Sequence, residues 1–284
     1  MGIFNINKKK APKDCGKPTG TAEAVKSEAA SQPTVNNEEE KTAMNKVVPK
    51  NIGKLDMVIA FDTTGSMAAY IEDVRKQVAE LVPRLFKDNE ALRLGIVAFG
   101  DYCDMKGPNE FGNAYQCLPL TDNENDIIRF IRDSENTSGG DGDEFYELVI
   151  KKIVEETEWR EESTRSILLI ADAEPHPIGY SYENIVSRNS IDWRKEAEKA
   201  AGKKIKIDTV TITDAPWFKE LSAMTNGISV PFCSYDKTGD LIMASAMARG
   251  SMKARAKFDE LNKLCTDEEM KKVYACFFNE RYYL

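Results

Sequence analysis

Histidine is almost missing from this sequence: His176 is the single one in 284 residues. One imidazole without a placed nucleophile makes no catalytic pair, and a position between Pro175 and Pro177 reads as an ordinary loop. Paired cysteines are missing too. Cys15, Cys103, Cys117, Cys233, Cys265 and Cys276 form no Cys-x-x-Cys pair and no spacing typical of zinc, so reduced thiols are expected and a catalytic thiol is not. Cys117 and Cys233 fall in apolar, strand-like stretches, where a free Cys acts as a small hydrophobe, whereas Cys103 falls in a polar loop.

There is no excess of positive charge. Lys and Arg number 39 against 47 Asp and Glu, a net charge of −8, which gives no global field favouring nucleic acid. No apolar run approaches the length of a membrane span, and the opening MGIFNINKKK holds none long enough for a signal peptide. The expectation is a cytoplasmic protein with no membrane and no nucleic-acid partner. Gly2 follows the initiator Met, but Ile6 stands where a myristoylation signal requires Ser or Thr, so lipidation is not expected. A P-loop is missing and there is no room for a kinase domain.

Residues 1–50 are poor in aromatics and rich in Lys, Glu, Ala, Ser, Thr, Asn and Pro, too little apolar surface to offset ordering entropy. They read as a disordered polar tail, ahead of a domain over 51–250 and a helical extension over 251–284. Leu55–Phe61 is a short apolar run that predicts a buried strand. Ile71, Val74, Val78, Leu81, Val82 and Leu85 recur at helical spacing, with Pro83 placed to kink the last turn.

Strands are then predicted at Leu92–Phe99, Ser166–Ala171, Lys204–Ile212 and Ile228–Phe232. Helices are predicted around Ile127–Ile131 and at Phe145–Trp159, Ile191–Ala201, Trp217–Met224 and Leu241 to about Leu264. Alternating apolar strands and helices predict an α/β, doubly wound, mostly parallel sheet covered on both faces, with Tyr115–Leu120 as an antiparallel edge strand.

Ligands of such sheets collect at the carboxyl ends of the strands. Three loops there carry oxygen-bearing side chains: Asp62-Thr63-Thr64-Gly65-Ser66, Gly139-Gly140-Asp141-Gly142-Asp143-Glu144 and Asp172-Ala173-Glu174-Pro175-His176. Hydroxyl and carboxylate donors suit a hard cation such as Mg²⁺, with Mn²⁺ or Ca²⁺ as alternatives, whereas zinc would want more nitrogen or sulfur. Each loop alone also fits turn or helix-cap chemistry, Ser66 as an N-cap and Asp172 as an Asx turn. Asp143 and Glu144 fall at a predicted helix start, where carboxylates complement the positive helix end. Asp101, Tyr102 and Asp104 follow the strand Leu92–Phe99 and could rim the metal face, with a surface loop as the simpler reading.

Together these loops resemble the von Willebrand factor A (VWA) family over roughly Leu55 to Met243. Its metal-ion-dependent adhesion site (MIDAS) has an Asp-x-Ser-x-Ser loop, a later Thr and a later Asp. The resemblance implies a Rossmann-like fold and a metal set of Asp62, Thr64, Ser66, Asp141 and Asp172. Thr64 replaces the first Ser and keeps its hydroxyl, while Asp141 replaces the Thr by a carboxylate. The three loops look most like the intracellular branch linked to alpha-kinases and to bacterial stress-response proteins.

What this implies is a non-enzymatic module that recognises a protein partner through the cation, the partner or water completing the shell. The alternatives are a metal-dependent hydrolase, with Asp143 or Glu174 as general base, and a scaffold with a vestigial metal site. In the scaffold, Phe258, Tyr274, Phe277, Phe278, Tyr282 and Tyr283 would dock a partner, though capping the domain's own core is the simpler expectation.

Overall fold

The computed structural model describes residues 53–232 and 238–280. The tail over 1–50, Cys233, Tyr282 and Tyr283 lie outside the described residues. The central sheet has six strands in the order β3-β2-β1-β5-β7-β8. They are β1 (Lys54–Asp62), β2 (Ala91–Phe99), β3 (Tyr115–Thr121), β5 (Thr164–Ala171), β7 (Ile205–Thr211) and β8 (Ser229–Pro231). All pair in parallel except β3, the antiparallel edge. Two short strands, β4 (Asp143–Glu144) and β6 (Glu174–Pro175), form a separate parallel pair.

Side chains alternate across a strand, so β1 feeds two cores. Leu55, Met57, Ile59 and Phe61 face one layer, built with α1 (Ala68–Asp88), α2 (Glu124–Asp133) and α6 (Thr238–Arg249). Val58 and Ala60 face the other, built with α3 (Tyr146–Glu156), α4 (Trp193–Gly202) and α5 (Pro216–Met224). The run Leu55–Phe61 is buried throughout, as a central parallel strand covered on both faces must be. The sheet is therefore doubly wound, mostly parallel and flanked by helices.

Several local expectations shift. The apolar stretch from Leu241 to Leu264 is two helices, α6 and α7 (Met252–Leu264). The break falls at Gly250, where a Cβ would meet Asn89 Oδ1 at 1.8 Å and the Ala246 carbonyl at 2.9 Å. Ser251 then caps α7 by accepting from the Ala254 amide (3.2 Å). Pro83 lies inside α1, which continues to Asp88. Cys117 is exposed on β3, because an edge strand covers only part of its outer face. Phe258 of α7, with Tyr274 and Phe277 of α8 (Glu268–Glu280), packs into the same core as α1 and α6.

Two buried carboxylates staple the frame. Asp56 of β1 accepts from Arg93 and Arg160 and from the Ser163 hydroxyl. Burial alone would raise its carboxyl, but those hydrogen bonds outweigh it and hold the group below its ordinary value. Asp208 of β7 accepts from Arg249 Nε (2.7 Å) and Ser245 Oγ (2.8 Å), both on α6. Each of these carboxylates thus has a cationic partner.

Candidate metal centre

At the carboxyl end of β1 the backbone of Thr63 is fixed first. Its amide donates to the Phe99 carbonyl (2.8 Å), and its carbonyl accepts from the Thr137 amide (3.0 Å). The chain can then fold back on Asp62: the Thr64 amide and hydroxyl both donate to Asp62 Oδ1, at 2.8 and 2.7 Å. Ser66 Oγ lies 3.2 Å from Thr64 Oγ1. Ser66 caps neither helix start, since Thr64 is the N-cap of the short 3₁₀ turn Gly65–Met67 and Met67 that of α1. Its exposed hydroxyl instead stands near the Asp172 carboxyl just beyond β5, where it opposes the rise that burial causes.

Tyr146, at the start of α3, ties the floor together by donating to Asp62 Oδ2 (2.5 Å) and accepting from the Ala173 amide (3.3 Å). The structure thus links Asp62, Thr64, Ser66 and Asp172. Asp141 is not bonded to this set. It is exposed, accepts from the Tyr180 hydroxyl (3.1 Å) and stands beside Asp101 and His176.

The carboxylate that the second loop turns toward Asp62 is Glu144. Rather than opening a helix, it lies in β4 opposite Pro175 of β6, and it is buried. At Gly139, with φ of +67°, a Cβ would come within 3.0 Å of Glu144 Oε1 and 3.3 Å of Thr64 Cβ. Gly139 therefore serves both the left-handed turn and the close approach of the two loops. Asp104 holds that loop by accepting from the amides of Ser138 (2.8 Å) and Gly139 (3.2 Å).

Burial dominates the electrostatics. Desolvation pushes the Asp62 carboxyl up to about 7 against the hydrogen bonds from Thr64 and Tyr146, and Asp172 adds to the rise. Glu144 is pushed up to about 10 by burial and by its neighbours Asp62 and Asp101. Asp172 is raised by burial. Asp172 Oδ1 and Glu144 Oε2 are buried without a hydrogen-bond partner. Among the described residues no Lys or Arg makes an ion pair with any of these three carboxyls. Buried oxygens of this kind are costly unless something positive lies between them, and a hard divalent cation fits the donor set.

A family model of the von Willebrand factor type A domain matches residues 56–241. The chain belongs to this family. Among solved structures it is similar to proximal thread matrix protein 1 from the mussel byssus. Crystal form 2 of that protein matches at 15% identity with a TM-score of 0.50, over 67% of this chain and 46% of that chain. A second structure of the same protein gives 15% identity and a TM-score of 0.49 over the same shares. The chain spans less than half the length of these structures, and the likeness is one of fold. No curated protein matches the sequence.

A VWA fold explains why the loops meet here, since β1 and β5 are adjacent central strands and both carry their loops to one edge. Sequence reasoning set aside Glu144 and His176, gave Asp101 only a place on the rim and passed over Tyr146, all of which the fold buries at this edge.

The raised carboxyls set a pH dependence. With the cation chelated, Asp62 holds its proton in the folded state up to about 7, while its ordinary value is 3.8. The folded chain therefore binds more protons than the unfolded chain between those values, and stability falls as pH rises through that window. Thermal melts in chelator are expected to show a lower Tm at pH 8 than at pH 5.5, with saturating Mg²⁺ reducing the difference. A Tm in chelator that rises steadily over this range contradicts the assignment.

Proposed function

We propose that this VWA domain is a non-enzymatic recognition module that binds a protein partner through a hard divalent cation. Asp62, Thr64, Ser66 and Asp172 would hold the ion, with Glu144 as the acid of the second loop. The observation that carries this is the pair of partnerless buried oxygens, on Asp172 and Glu144, beside a carboxyl that accepts from the Thr64 hydroxyl, which in turn meets that of Ser66. Mg²⁺ suits such a set, with Mn²⁺ or Ca²⁺ as substitutes, and Ser66 at the exposed rim leaves the shell open to a ligand from outside. When bound, the ion supplies a positive charge that a partner oxygen can meet.

The alternative is a metal-dependent hydrolase with Asp143 or Glu174 as general base. The composition of the three loops further supports the intracellular, alpha-kinase-linked and stress-response branch, and with it a cytoplasmic location. No helix among the described residues is long and apolar enough to cross a membrane.

The test is affinity capture on the immobilised full chain in Mg²⁺ and in chelator, with Asp62→Ala as the control bait. Generic phosphoester and peptide substrates are assayed in parallel. Mg²⁺-dependent capture of one defined protein, lost in the variant and without turnover, supports the module. Turnover abolished by Asp62→Ala would instead make the protein a hydrolase.

A further inference from the structure

Beside the acidic set lies a different group of donors. Ligand atoms of Asp101, Asp141 and His176 lie within 4.8 Å of one another. Asp101 follows β2, Asp141 lies in the loop before β4, and His176 follows β6, so three separate segments converge on one point. The side chains of Asp101 and His176 are wholly buried, with His176 Nε2 2.7 Å from Asp101 Oδ1. Asp141 is exposed and forms the lip.

We infer that Asp101, Asp141 and His176 form a second metal site, distinct from the Asp62 centre and selective for a borderline transition ion such as Zn²⁺. The chemistry differs from that of the first set, because one imidazole nitrogen joins two carboxylates. A mixed nitrogen and oxygen set suits zinc and its neighbours rather than Mg²⁺.

Independent of the clustering, two atoms of the buried pair are unsatisfied. Asp101 Oδ2 and His176 Nδ1 are both buried without a hydrogen-bond partner. A structural ion pair retained for stability would be expected to use its remaining hydrogen-bonding atoms, since each unmet buried polar group carries a desolvation cost. A dication held between the carboxylates and His176 Nε2, the ring atom that faces Asp101, offsets that cost at Asp101 Oδ2. The 2.7 Å between His176 Nε2 and Asp101 Oδ1 is a hydrogen bond that an ion would replace, the two atoms parting slightly to ligate it.

The surroundings fix the ligands as a metal site requires. The Tyr180 ring stacks on His176 with centroids 3.7 Å apart, and its hydroxyl donates to Asp141 Oδ2, so one residue orients two ligands. The His176 amide donates to the Glu144 carbonyl (3.3 Å), which joins this site's backbone to that of the first. Exposure of Asp141 provides the entry path from solvent.

The inference does not rest on the proposed function, and the two can fail separately. The full chain is saturated with Mg²⁺ and titrated with Co²⁺, an optical stand-in for Zn²⁺. Wild type is expected to bind one Co²⁺ with visible d–d absorption, which Zn²⁺ displaces. Asp141→Asn, at an exposed position where folding is not at risk, is expected to weaken Co²⁺ binding by at least about tenfold. His176→Gln should remove the absorption, and Asp62→Ala should keep it while losing Mg²⁺. No Co²⁺ uptake by wild type overturns the inference. So does Co²⁺ binding that Asp62→Ala abolishes, or binding by Asp141→Asn and His176→Gln as tight as that of wild type.

Discussion

Asp62→Ala is expected to lose Mg²⁺ binding, with affinity falling by more than the about 100-fold at the top of the range for removing a residue that merely supports a ligand. Asp62 is the hub of the centre: its Oδ1 receives both donors of Thr64 and its Oδ2 receives the Tyr146 hydroxyl. Without it the Thr64 hydroxyl loses the acceptor that directs it, and only Asp172 and Glu144 are left as carboxyls for the ion. The substitution also strands the buried Tyr146 hydroxyl as a donor, a cost of about 1–3 kcal/mol, but it relieves the crowding of Asp62 with Asp172 and Glu144. The domain should therefore stay folded. Titration calorimetry, with circular dichroism on the same sample, reads both effects. Mg²⁺ affinity within a factor of about three of wild type, about 0.7 kcal/mol, would show that the ion sits elsewhere.

Arg249→Met is expected to cost about 3–5 kcal/mol of folding stability, because it leaves the Asp208 carboxylate buried without its cation. Asp208 and Arg249 are both almost wholly buried, and the pair joins the sheet strand β7 to helix α6. Ser245 Oγ and the Ile228 amide also donate to Asp208, so the carboxylate keeps partial solvation but not its counter-charge. Adding Asp208→Asn to the same chain should recover part of the loss, as removal of both charges often does. Urea unfolding of the two variants and wild type decides. A loss below about 1 kcal/mol in the single variant would mean that the pair contributes no more than an exposed surface ion pair.

These two buried carboxylate systems also show where local pattern reading succeeds and where it stops. The near-continuous apolar runs Leu55–Phe61 and Ser166–Ala171 reveal central strands, because burial on both faces requires such runs. That fixes the sheet, and with it the edge on which Asp62 and Asp172 must stand. Glu144 escapes such reading. Its position depends on the β4–β6 pairing, which sets Glu144 against Pro175, 31 residues on, and leaves no periodic trace. A carboxylate just ahead of an amphipathic run looks like a helix-start residue whether or not it faces a metal.

His176 fails for a related reason. As a lone ring between two prolines it signals only a loop, and its partner Asp101 lies 75 residues earlier in the chain. The break at Gly250 is hidden as well, since apolar spacing continues across it and only the contact with Asn89 demands it. Pro83 does not end α1, which runs on to Asp88 with Val82 and Leu85 packed into the core on either side of it. Legible features were those set by burial along one segment, and hidden ones were those set by two segments meeting.

The most direct test of the central claim is to count water on the bound ion. Mn²⁺ is added to the Asp141→Asn chain, so that the neighbouring donors do not compete, and water-proton relaxation is measured against free Mn²⁺. An adhesion site awaiting a partner oxygen is expected to bind Mn²⁺ with at least one rapidly exchanging inner-sphere water. Mn²⁺ held with no exchangeable water would mean a closed, structural ion, and no bound Mn²⁺ would mean that the buried oxygens of Asp172 and Glu144 serve no cation.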